Sequence, residues 1–146
     1  MKPITAGLFL VAFCSLILLP LTGCETDSGE YVRLAKSLFE KSVRNDASGA
    51  KLIDWNSIQC DNEDLGRSYM QLSTDYEKSH FKSAVIERLS QLYAARNWNV
   101  NNVRNWKLQS KGVESAIVTA DAPDGTITIT FQKVDFQKKV SRIMNQ

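Results

Sequence analysis

The sequence predicts an α+β fold, with N-terminal helices packed on a curved antiparallel sheet in a single domain behind a cleaved signal peptide. Three observations lead there. An apolar run of signal-peptide length opens the chain. Apolar residues then recur at helical spacing as far as about Arg96. From Trp106 onward the pattern changes to the two-residue alternation of strands. On this reading residues 1–23 are the signal, 24–29 a short tether and 30–146 the domain.

The first element is the signal. Lys2 places a positive charge ahead of Ile4 to Leu19, which carries no charge. Its core, Leu8 to Leu19, has the length of a signal-peptide apolar region and is shorter than the roughly 20 residues a spanning helix needs. Leu21-Thr22-Gly23-Cys24 resembles the lipobox of bacterial lipoproteins. The resemblance implies cleavage before Cys24, lipid on its sulfur and a stable membrane attachment once two or three acyl chains are present. An ordinary secretory signal or a retained helix fits fewer of these features, because charge, apolar length, small residues and cysteine placement agree. The tether Glu25 to Gly29 is polar and short, so the domain is expected close to the lipid surface. Glu25 in place of Asp leans toward the outer membrane by the enterobacterial pattern. The expected location is therefore a cell membrane or outer membrane, with the domain on the extracytoplasmic side.

Composition narrows the rest. Removing residues 1–23 takes Lys2 from 18 basic side chains and leaves 17 against 16 acidic ones. That near-neutral balance lacks the basic excess that phosphate neutralisation requires, which argues against a nucleic-acid partner. Cys14 leaves with the signal and Cys24 carries lipid, so Cys60 has no intramolecular disulfide partner. It is expected to be buried and inert, with a reactive or intermolecular thiol as the alternative.

The first helix is expected over Glu30 to Arg44, with Tyr31, Leu34, Ala35, Leu38, Phe39 and Val43 on its apolar stripe. Ser28 is the candidate cap, and Asn45-Asp46 followed by Ser48-Gly49 ends the helix. The aromatic run Lys51 to Ile58 has no clear period. Asp61 is placed to cap a short helix, with Leu65, Tyr69 and Leu72 on one face. Thr74 and Glu77 then have capping-box spacing. The long helix behind them buries Phe81, Ala84, Val85, Leu89, Leu92 and Tyr93 and stops at the Asn-rich stretch after Arg96.

Trp106 and Leu108 begin a strand that turns at Lys111-Gly112. A second strand over Val113 to Ala120 divides Val113, Ser115, Ile117 and Thr119 from Glu114, Ala116, Val118 and Ala120. Ala122-Pro123-Asp124-Gly125 is a turn. In Thr126 to Val134, Ile127, Ile129 and Phe131 are expected inward and Thr126, Thr128 and Thr130 outward, as in a half-solvated antiparallel sheet. Lys138 to Met144 forms the last strand, with Val140 inward.

The helix at Tyr31 to Val43, the long helix at Thr74 to Arg96 and the meander from Trp106 to Met144, closing on Lys139-Val140-Ser141-Arg142-Ile143, together resemble one family. It is the cystatin-like cone fold of the nuclear-transport-factor-2-like superfamily. The resemblance is one of element order and covers nearly the whole mature chain. It implies a sheet curled round the helices and an open-ended apolar pocket, used to bind small molecules, to dimerise or, in some members, to catalyse. Fold alone does not choose among these.

No nucleophile elbow, phosphate loop or metal spacing is present, and no cofactor is expected. Two residues are candidates for acid–base chemistry. His80 has Glu77 one turn before it, able to hold the imidazole; the alternative is an ordinary surface histidine. Asp54 lies beside Trp55; the alternative is a turn aspartate. Neither is expected to point into an apolar pocket, and no catalytic residue is assigned. Trp55, Trp98 and Trp106 are the candidates for ligand or partner contact, against a place in the core. Trp98 stands out because its loop, Arg96 to Asn102, is polar; it either meets a partner or packs on the helix end. The sequence thus points to a tethered, non-enzymatic module that binds a small apolar ligand or an envelope protein. A cone-fold enzyme and an inhibitor or immunity-type protein are the alternatives.

Overall fold

The computed structural model describes residues 27–146. The signal segment, Cys24 and the first tether residues lie outside the described residues. No described helix is long and apolar enough to cross a membrane.

Helix α1 spans Asp27–Val43 and buries Tyr31, Ala35, Leu38 and Phe39, which lie on the expected stripe. It takes in Asp27, Ser28 and Gly29, so Ser28 is a helical residue and not the cap. At the other end Asn45 adopts φ 53°. The Asn45 and Asp46 amides donate back to the Ser42 and Lys41 carbonyls, closing the helix in a Schellman motif. A short 3-10 helix, Ala47–Leu52, follows under an Asp46 cap.

The unassigned run after it turns at Asp54 and packs along the sheet: Ile53 bridges Val140, and Ile58 is fully buried. Two short strands, β1 (Gln59–Cys60) and β2 (Glu63–Asp64), lead into helix α2, Leu65–Met70. The cap of α2 is Asp64, whose carboxylate accepts the Arg67 amide at 2.9 Å, and not Asp61. Asp61 has φ 50° and instead accepts the Asn145 amide at 2.7 Å. Gly66 is required here, since a Cβ would lie 2.8 Å from the Asn56 carbonyl oxygen.

Helix α3, Asp75–Ala95, begins at the expected capping box. The Glu77 amide donates to Thr74 Oγ1 at 3.1 Å, and the Thr74 amide donates to the Glu77 carboxylate at 2.9 Å. Its buried residues are Val85, Ile86, Leu89 and Tyr93. Ala84, expected inside, is exposed; Ile86, two residues further on, is buried instead. Asn97, at φ 53°, ends α3 as Asn45 ends α1.

Strands β3 (Arg104–Lys111), β4 (Ser115–Ala122), β5 (Gly125–Val134) and β6 (Gln137–Asn145) form an antiparallel meander. The sheet order is β2-β1-β6-β5-β4-β3, with β1 parallel to β6. Ile127, Ile129 and Phe131 are buried, with Thr126, Thr128 and Thr130 on the other, partly exposed face. On β4 the inward set is Ala116, Val118 and Ala120. Val113 lies before the strand and is 81% exposed. A bulge in β6 across from Thr130 and Phe131 inserts Ser141, so Val140 and Ile143 both face inward. Bulges also interrupt β3, one beside Asn105 at φ 55°. The buried residues of α1, α3 and the sheet's inward face form one core.

Candidate functional site

The aromatic residues separate into two groups. Phe39 lies 5.0 Å from Tyr93 and 5.6 Å from Trp106, centroid to centroid, and Tyr93 stacks on Trp98 at 6.0 Å. Trp98 is 2% exposed. Its indole N–H donates to the Asp124 carboxylate, and the Arg96 guanidinium lies 4.8 Å from its ring centroid. Of the two places open to it, Trp98 takes the one on the helix end. Trp106 is half-buried against the same core. Trp55 belongs elsewhere, beside Tyr69 and Phe81 at 5.7 and 6.2 Å, with its N–H donating to the Ala50 carbonyl. The three tryptophans do not converge on one pocket. Beneath α1, Tyr31 and Phe131 are both fully buried and meet edge-on at 5.4 Å.

Of the acid–base candidates, His80 lies on α3 and Asp54 in the turn before β1. His80 is exposed and lies beside Tyr76 on the border of a shallow surface groove. Glu77 does not hold it: the carboxylate accepts from Thr74 and Ser73, whose hydrogen bonds lower its pKa. Asp54 organises a turn, accepting the Asn56 amide at 3.2 Å and the Ser57 hydroxyl.

A groove of about 370 Å³ opens between α3 and strand β1. Such a volume suits a small ligand. Leu65, Val85 and Leu89 form a buried floor, and half-buried Leu92 continues it. Asp61, Arg88 and Gln91 supply the polar rim. Arg88 is held toward Glu63 at 2.5 Å. Cys60 lines the wall, half-buried where a buried thiol was expected. Burial, reinforced by the Asp61 charge, pushes its pKa up to about 11. The thiol is therefore protonated at neutral pH and is a poor nucleophile. Beneath it Tyr93 is kept neutral by burial. The groove is thus an apolar trough with a charged lip. Sequence reasoning did not find it, because its walls come from β1, α2 and α3 and only α3 had a clear period.

No protein-family model matches the sequence, and neither does any curated protein. Among solved structures, the chain is similar to a crystal structure of an NTF-2-like protein of unknown function from Shewanella oneidensis MR-1. The two are 12% identical, the match covers 80% of this chain and 95% of that one, and the TM-score is 0.41.

Proposed function

We propose that this protein is a lipid-anchored component of the cell envelope whose domain is a non-enzymatic module for a small apolar ligand. The groove between α3 and strand β1 carries the binding part of this reading: its floor is leucine and valine, and its thiol is held protonated. The lipobox-like Leu21-Thr22-Gly23-Cys24 supplies the tether, and Glu25 leans the location toward the outer membrane. The partners on this reading are membrane lipid, through acyl chains on Cys24, and the groove's ligand.

The test uses 1-anilinonaphthalene-8-sulfonate, an apolar anion, as probe. It should bind saturably at one site. Leu92→Glu places a charge at the half-buried end of the trough. It should weaken binding about tenfold or more, equivalent to about 1.4 kcal/mol, measured where circular dichroism shows the variant folded. Binding that is unsaturable, or indifferent to Leu92→Glu, rejects the groove. For the anchor, Cys24→Ser should abolish acyl mass and membrane retention; a mature N-terminus elsewhere, without acyl mass, rejects it.

A further inference from the structure

Two large apolar side chains stand in solvent at one end of the sheet. Phe136 is 103% exposed and Val113 is 81% exposed. Phe136 occupies the second position of the two-residue β5–β6 turn, where Asp135 and Phe136 have φ 48° and 63°. This conformation is that of a type I′ turn, which favours glycine at the position Phe136 holds. An aromatic there gains no packing to offset its backbone strain. Val113 is at the tip of the neighbouring β3–β4 turn, and the Lys133 amide donating to the Glu114 carbonyl at 2.9 Å ties the two turns together.

The same end of the domain receives the start of α1. The Asp27 carboxylate pairs with Lys111, the last residue of β3, and with Lys138 at the start of β6; Lys138 also reaches Glu30. Cys24 lies three residues before Asp27, so its Cα is at most about 11 Å from that of Asp27 by chain length alone. Lipid on Cys24 would bring this end of the sheet to the bilayer. The opposite end carries the polar loop Asn97 to Asn102.

We propose that the end bearing Val113 and Phe136 is a membrane-docking surface, and that its partner is the phospholipid bilayer that holds the Cys24 acyl chains. This rests on the lipoprotein reading and adds an orientation to it: the sheet end faces lipid, with the two apolar tips in the interfacial layer. The contact is apolar and not electrostatic. Lys111 and Lys138 are already paired, and the tips carry Glu114 and Asp135 beside Lys133. Docking therefore needs no anionic lipid and resists salt.

The experiment places an indole at each tip of the full acylated protein, by Phe136→Trp and separately Val113→Trp, with Val100→Trp in the opposite loop as control. Each protein is reconstituted into phosphatidylcholine vesicles with and without brominated acyl chains. Intact mass first reads the lipid on Cys24. The expected result is loss of most of the added emission at positions 136 and 113, none at position 100, and no dependence on salt. Acyl mass with equal quenching at both ends overturns the docking surface and leaves the anchor standing. Absence of acyl mass overturns both. Quenching that requires anionic lipid and disappears in high salt overturns the apolar contact. A blue-shifted, concentration-dependent emission without quenching assigns the tips to a second copy of the chain and overturns the lipid partner.

Discussion

Trp98 reverses what its sequence neighbours suggest. Trp98 sits among asparagines yet is buried, because its N–H finds Asp124, 26 residues further on, and its ring finds Tyr93 and Arg96. A partner so distant along the chain leaves no local signal. Trp98→Ala should cost about 3–5 kcal/mol in urea unfolding, as for other buried aromatics; a loss under about 1 kcal/mol would mean that the residue is not part of the core. Phe136 stands in a short turn whose backbone demand is legible only once the register of β5 and β6 is known. Phe136→Gly should stabilise the domain by about 1 kcal/mol, since glycine adopts this conformation without strain. Destabilisation by a similar amount would show that Phe136 packs on protein in solution.

At the scale of elements, helix ends were legible where their caps are local. Thr74 and Glu77 meet across one turn of chain, so their spacing alone located the start of α3. Thr74→Ala should cost about 1 kcal/mol, read as a lower urea midpoint at unchanged m-value. No change would mean that Ser73 or solvent replaces the cap. Asp61 and Asp64 show the limit of this reasoning. Both suit a cap, and the choice falls to Asp64 because Asp61 is drawn into pairing with Asn145 at the far end of the chain. Strand faces followed the alternation on β5, where Phe131 is buried and Thr128 is not. On β6 the alternation fails at Ser141, since a bulge changes which residues face inward and leaves no mark in hydropathy.

Over the whole molecule, the order of helices before strands determined the fold class, because each layer has an apolar side that only the other can cover. The groove was not legible, since it exists only where β1, α2 and α3 meet. The same holds for the clamp that joins the start of α1 to the sheet, where Asp27 lies 84 residues before Lys111 and 111 before Lys138 in the sequence. Hydrogen bonds from Lys111 and Lys138 hold the Asp27 carboxyl down at about 2, against an ordinary value of 3.8. For Lys138, burial alone would lower its pKa, but Asp27 and Glu30 outweigh it and raise it. A carboxylate whose pKa is depressed in the folded state binds its proton first in the unfolded chain. Its contribution is complete above the unfolded value and is lost as pH falls from about 4 to about 2. Lys138 acts in the opposite sense: its contribution is complete below the unfolded lysine value and is lost as pH rises through the raised one. The clamp should therefore hold across the neutral range. Asp27→Asn isolates the acid limb from the other carboxylates. The variant should have a lower urea midpoint than the wild type near pH 6, and the gap should close as both are taken toward pH 2. High salt should narrow the gap at every pH, because Asp27 is open to solvent. A gap that stays constant down to pH 2 would show that Asp27 acts through packing of the helix end and not through its charge.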